Sequence, residues 1–347
     1  MGLNCSCQSL EEERKSSLEV ESLRKPVMQS EYWGEEKRRK MPEFAAVRVQ
    51  SAIRGSLSRR IARNPQRDLG ENTVKTELTD IPETTNPAAL AAEAKIGPFL
   101  YPADFPPTSA SLHTRKPIQL DNGAIYMGQW NPHGQREGRG MQIWPDGSKY
   151  EGCWKQDKAE GKGRLIHADG DIYIGDWKLD KACGVGIYIH ADGSKYEGGW
   201  AEDLRQGKGV ESWTDGARYD GQYWKGKKQG KGLFCWADGS SYAGSFLENN
   251  IEGFGVYVWG DGRRYEGQWR NNQMHGKGKF TWADGRCYEG EYVDDRKQGF
   301  GIFTWPDGRR YEGSWQAGKQ HGAGVLVTVQ GERRAGDWVQ GRRHKEV

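Results

Sequence analysis

No stretch of this chain approaches the roughly 18 uninterrupted apolar residues that a membrane-spanning helix needs. No apolar run follows Met1, so neither a bilayer span nor a secretory signal is expected. Cysteine is scarce, six in 347 residues. Cys153, Cys183, Cys235 and Cys287 lack C-x-x-C partners, so a disulfide framework is not expected, and they read as reduced thiols of a cytosolic protein. A dominant charge is lacking too. The net charge of +3 is too small by itself to imply a nucleic-acid partner. The seven histidines do not group with a serine, cysteine or acid in a nucleophile pattern, so no catalytic residue is named.

What the chain has in excess is glycine (49) and tryptophan (15), and their spacing explains most of both. A tyrosine recurs at 126, 150, 173, 196, 219, 242, 265, 288 and 311, always 23 apart after a first interval of 24. The extra residue of the first copy lies in Asn131–Glu137. A fixed period in the twenties marks a repeat array. The clearest copy runs Tyr265-Glu-Gly267-Gln-Trp269, Gly276-Lys-Gly278, then Trp282-Ala-Asp284-Gly285. Positions i, i+2 and i+4 share one face of a strand, and Asp-Gly between two alternating runs is a hairpin signal. A three-residue loop Ala283–Gly285 with Gly285 left-handed places Phe280 opposite Tyr288, Gly278 opposite Gly290 and Gly276 opposite Tyr292. The glycines leave room for neighbouring rings to lie over bare backbone.

A lone hairpin is marginal in water, so the copies must stack edge to edge. The expected fold is an all-β repeat array: an elongated, twisted, single-layer antiparallel sheet of stacked β-hairpins. Nine copies at ~4.8 Å per strand give a sheet roughly 85 Å long. A partly helical, partly disordered N-terminal arm precedes it. The repeat resembles the MORN (membrane occupation and recognition nexus) family, whose copies read roughly Y-x-G-x-W-x-x-G-x-x-x-G-x-G. Tyr223, Phe246 and Tyr292 depart from the strand-end tryptophan, and Gln330-Gly331 from the ninth Asp-Gly. The resemblance implies a scaffold at membranes or cytoskeleton that grips a partner helix along the sheet.

The N-terminus reads Met1-Gly2-Leu3-Asn4-Cys5-Ser6-Cys7. Gly2 with Ser6 fits the N-myristoylation signal, and Cys5 and Cys7 are placed for palmitoylation. One myristoyl chain anchors only marginally, so the cysteines and Lys37-Arg38-Arg39-Lys40 would supply the second signal. Gln8–Lys25 reads as a charged helix or spacer. Between Pro42 and Asn64 a basic helix is expected. Within it Val49, Gln50, Ile53, Arg54, Gly55 and Arg59 match the IQ motif. That resemblance implies binding of calmodulin or a related EF-hand protein, which suits a basic amphipathic helix. The same helix could lie on anionic membrane and leave it when Ca²⁺–calmodulin captures it. Asn86-Pro87 opens a short helix through Lys95 that stops at Gly97, and prolines dominate from Pro98 to Pro117. The expected organisation is 1–41, lipidation signal and charged spacer; 42–64, IQ helix; 65–117, helix and linker; 118–341, nine repeats and cap; 342–347, basic tail.

Within the array, Gly-Lys-Gly at Gly161, Gly207, Gly230 and Gly276 is no phosphate loop, because no helix N-terminus follows a longer glycine loop. The Asp-Gly pairs lack Ca²⁺-loop spacing. No metal or cofactor is therefore expected. The binding surface is placed on the aromatic face, where Trp213, Trp236, Trp259, Trp282 and Trp305 are expected to stack in register as a partner groove. Apolar residues on the opposite face (Val256, Val258, Ile302 and Val325) are expected to seat a second copy, as a homodimer, or the N-terminal arm. The favoured reading is a non-catalytic scaffold on the cytoplasmic face of a membrane, the plasma membrane before others. The alternatives are a cytoskeletal or axonemal structural protein, and a regulatory module presenting a phosphoinositide kinase to its lipid. The chain ends at Val347 without a kinase or methyltransferase segment, which weighs against an enzyme.

Overall fold

The computed structural model describes residues 76–79, 85–101 and 111–344, all within one compact unit, Pro42–Val347. Among these residues, 23 strands form a single antiparallel sheet. From Ile125–Trp130 to Arg333–Val339 each strand pairs with the next in the chain. The first array strand is flanked by two short ones, Ile118–Gln119 and His113–Thr114, and Thr76–Glu77 closes on the former. At the far end Arg342–Arg343 covers two residues of the last long strand. Short terminal pairings of this kind blunt the sheet edges.

The Asp-Gly turns take the expected form. Trp282 N–H donates to the Arg286 carbonyl at 2.9 Å, Gly285 N–H to the Trp282 carbonyl at 3.0 Å, and Gly285 has φ 86°. Beyond the loop Phe280 faces Tyr288, Gly278 faces Gly290 and Gly276 faces Tyr292. The Asp284 carboxylate accepts from Arg286 N–H at 3.1 Å, the ordinary work of Asp in a turn. The other turn of each copy carries no constant residue pair. At Asn271-Asn272 both residues have positive φ, 48° and 65°, joining Arg270 to Gln273 as a two-residue hairpin loop. The extra residue of the first copy lengthens this turn, so that Asn131 pairs with Gln135 around Gly134 at φ 76°.

Asn or Asp at the second turn position also ties neighbouring copies. The Asn272 side chain accepts from Ile251 N–H at 2.7 Å, and Asp295 from Met274 N–H at 2.8 Å. A bulge follows each turn: Trp269 pairs with Met274 and Gly267 with Gly278, so three residues oppose Gln268. Gly276 sits in that bulge at φ 63°. The two glycines of Gly-Lys-Gly therefore have different causes, backbone conformation at Gly276 and room at Gly278.

That room is filled by tyrosine. A methyl placed on Gly278 would lie 2.3 Å from the Tyr265 hydroxyl oxygen and 2.5 Å from its ring. Tyr265 is fully buried, and its hydroxyl donates to the Gln268 carbonyl at 2.9 Å. It meets Trp269 of its own copy and Tyr292 of the next edge-on, with centroids 5.0 and 5.3 Å apart. The same edge-on relay runs from Tyr126 to Trp338, each contact contributing about 0.5–1.5 kcal/mol beyond its buried area.

The helix Pro87–Ile96 lies on the opposite face. Asn86 caps it, accepting from Ala88 and Ala89 N–H, and Gly97 ends it at φ 73°. Ala89 and Ala92 bury against Ile166 and Ile172, with Ile96, Ile174 and Ile189 around them. Glu93 meets Lys149 at 2.6 Å, and Arg164 donates to the Gly97 carbonyl at 2.6 Å. Beyond the helix, Tyr101 lies over Arg139 at 5.0 Å. The segment before the array therefore covers this face over the first three copies. Among the described residues no helix is long and apolar enough to cross a membrane.

Replacing Gly278 by Ala should drive a methyl into Tyr265 and lower stability by roughly 1–3 kcal/mol. Lys277→Ala, on an exposed neighbour, should stay within about 0.5 kcal/mol. Urea unfolding followed by tryptophan fluorescence compares the two directly, and equal midpoints would contradict this packing.

Candidate functional site

Trp213, Trp236, Trp259, Trp282 and Trp305 occupy one row and are all half-buried. The expectation that they stack on one another is corrected. A tryptophan recurs only at the end of every second strand, and each gap is filled by the ring two residues before the next tryptophan, on that same strand. Trp213 contacts Phe234, Trp236 contacts Tyr257, Trp259 contacts Phe280 and Trp282 contacts Phe303, at centroid distances of 5.0–5.6 Å. The result is one continuous aromatic strip. Arg286 and Arg309 lie over Trp282 and Trp305 at 5.5 and 5.6 Å. Each is held by its own turn aspartate, Asp284 or Asp307, at 2.7 Å.

Two charged features border the strip, and pattern reading missed both. Glu211 stands in the column held elsewhere by Phe280. It is buried and binds Arg205 at 2.5 Å, Lys228 at 2.8 Å and the Tyr223 hydroxyl at 3.0 Å. Burial opposes its ionisation, but the two cations prevail and hold its pKa at about 2. Lys297 has no such carboxylate beside it among the described residues. Its ammonium sits 4.8 Å from the ring centroids of Trp282, Phe303 and Trp315 and 5.0 Å from that of Tyr288. Burial, then the like charge of Arg286, lowers its pKa to about 8. The signal available in the sequence was one column carrying Arg136, Arg205, Lys228 and Lys297 among apolar residues.

His167 and His190 stand in the tryptophan column of earlier copies, as packing residues. His167 is buried, which lowers its pKa. Asp171 accepts from the Tyr188 hydroxyl at 2.8 Å and meets His190 Nδ1 at 3.2 Å. On the opposite face Val256, Val258, Ile302 and Val325 are half-buried, and Phe254 and Phe300 are 55% and 59% exposed. Gly2, Cys5 and Cys7, and Val49, Gln50, Ile53, Arg54, Gly55 and Arg59, lie outside the described residues.

Both charges, Glu211 buried and Lys297 half-buried, make stability depend on pH. Glu211 has its pKa depressed from 4.5, so its contribution is complete above pH 4.5 and is lost as pH falls towards about 2. Lys297 has its pKa depressed from 10.5, so the folded state holds that proton less tightly and stability rises from about pH 8 to 10.5. Lys297→Met should therefore stabilise the array at pH 7, by on the order of 2 kcal/mol, and remove the alkaline rise. Chemical denaturation at pH 7 and pH 10 measures both effects, and an unchanged alkaline slope would refute the assignment.

The comparisons with known proteins bear on this geometry. No curated protein sequence matches the chain. Among solved structures, the TCP10 domain of Danio rerio CPAP is similar at TM-score 0.33 and 12% identity, over 63% of this chain and 97% of that one. The Drosophila melanogaster SAS-4 (dCPAP) TCP domain, in complex with a proline-rich motif of Ana2, gives 0.27 and 13%, over 63% and 99%. Virginiamycin B lyase from Staphylococcus aureus gives 0.14 and 12%, over 67% and 76%. At such scores nothing further follows from them. The family model for the MORN repeat matches nine times, at residues 126–149, 150–172, 173–195, 196–218, 219–241, 242–263, 265–285, 288–309 and 311–333. The copies begin where the buried tyrosines stand. With most of the chain matched, this protein belongs to the MORN-repeat family.

Proposed function

We propose that this protein is a non-catalytic, membrane-anchored scaffold that docks a protein partner on the aromatic face of its array. The observation that carries the docking reading is the continuous strip from Trp213 to Trp305, whose tryptophans stay half-buried while the tyrosines beside them are fully buried. A half-covered aromatic strip on an ordered sheet suits a partner's apolar side chains. Support for the anchor is the run Gly2, Cys5 and Cys7, which supplies the two lipidation signals that stable attachment requires. Support for an EF-hand partner is the agreement of Val49, Gln50, Ile53, Arg54, Gly55 and Arg59 with the IQ motif. On this reading the lipidated end holds the chain to the cytoplasmic leaflet, the IQ helix recruits calmodulin or a relative, and the sheet carries the cargo.

Fractionation of wild-type cells beside Gly2→Ala and Cys5→Ala/Cys7→Ala cells tests the anchor. Wild type should pellet with membrane and both variants should become largely soluble; identical partitioning of all three would remove lipidation from the reading. A peptide spanning residues 42–64 should bind calmodulin, and Ile53→Glu together with Arg54→Glu should weaken it by at least tenfold, about 1.4 kcal/mol. Calorimetry with and without Ca²⁺ reads this, and affinity equal in both conditions would exclude a Ca²⁺ switch.

A further inference from the structure

One column of the repeat carries four cations on the aromatic face, and three of them have an acceptor. Arg136 binds the Asp157 carboxylate at 3.1 Å and the Asp157 carbonyl at 2.6 Å. Arg205 and Lys228 share Glu211. Lys297 differs: among the described residues no carboxylate lies within ion-pair reach of it. Glu211 precedes Lys228 by 17 residues, and the residue 17 before Lys297 is Phe280. The turn acids Asp284, Asp307 and Asp294 are engaged by Arg286, Arg309 and Arg270, and Asp295 accepts from Met274 N–H. Four rings surround the ammonium at 4.8–5.0 Å, which offsets part of its lost hydration. Rings supply no conventional acceptor for its three N–H donors. A half-buried cation without a counter-ion is costly, and the cost is relieved by any ligand that brings one.

We propose that the partner docked on this strip is a peptide segment that lays apolar side chains along Trp259, Trp282 and Trp305 and sets one Asp or Glu carboxylate against Lys297. The inference rests on the docking reading above and adds its chemistry. The array itself supplies the precedent, since the Glu211 carboxylate fits among the same columns of rings to satisfy Lys228. A charged residue at the centre of an apolar contact also fixes register, because sliding the segment by one turn would bury both charges unpaired. Lys297 would thus select the partner's position along a face that is otherwise nearly periodic.

The test uses the full-length chain and three synthetic helical peptides rich in Leu and Ala, identical except for one central residue: Glu, Gln or Lys. Calorimetric titration should give about tenfold tighter binding of the Glu peptide than of the Gln peptide, the scale of one charge-assisted contact. In Lys297→Met, a variant expected to fold more stably than wild type, that preference should vanish while the Gln peptide binds as before. Lys297→Glu should reverse it in favour of the Lys peptide. Equal binding of all three peptides to wild type would leave the docking strip standing and overturn the role of Lys297. Binding of none would overturn both. Phosphatidylserine vesicles captured in a Lys297-dependent manner, with no Glu preference among the peptides, would assign the cation to lipid and overturn the proposal.

Discussion

Each repeat tyrosine lies flat across two glycines, one on its own strand and one on the next, and the rest of the array follows from that contact. The ring needs bare backbone beneath it, so Gly267 and Gly278 cannot carry a side chain while Tyr265 keeps its place. The glycines in turn need the ring, because two facing glycine strands bury little by themselves. Laid flat, the tyrosine presents its edges to the strand-end aromatic of its own copy and of the next. A local constraint within one copy thereby becomes a nearest-neighbour interaction. In a sheet one layer thick, such contacts take the place of a common core.

The two faces of the sheet divide the work. On the ring face the inner tyrosine relay holds the copies together and the outer tryptophan row remains half covered. On the other face the helix Pro87–Ile96 covers the isoleucines of the early copies. The array is therefore graded along its length. Buried polar groups such as Gln142, Arg164, His167, Asp171, Arg205 and Glu211 gather in its first half. The aromatic strip begins at Trp213 in the fourth copy and runs on through the second half, with Lys297 set among its rings. Nearly identical copies can differ in this way because each needs only its tyrosine, its glycines and its turns; the remaining columns are free to carry function.

Much of this was legible from spacing. The period located the copies, Asp-Gly fixed the register of one turn, and alternation put the aromatic residues on one face. Asn86-Pro87 and Gly97 bounded the helix correctly. The two-residue turns were not legible, since pairs as unlike as Leu179-Asp180 and Asn271-Asn272 adopt the same positive φ values. The bulge that separates the roles of Gly276 and Gly278 was equally hidden. Both glycines look alike in a sequence, and only the pairing of Trp269 with Met274 distinguishes them.

The sequence by itself determined the family, the number of copies, the strand direction and the face on which the rings lie. Those depend on periods of two and of 23 residues, which any reader of the chain can count. Only the tertiary structure decided which rings touch, which charges find partners and which face the preceding segment covers. Those depend on residues 14 to 67 positions apart, such as Trp269 and Gly255 or Arg164 and Gly97. Lys228 and Lys297 occupy the same column and both lie among rings, yet only Lys228 has a carboxylate, Glu211, beside it. The difference is the identity of a residue on a neighbouring strand, and it is contact through space that gives it physical effect.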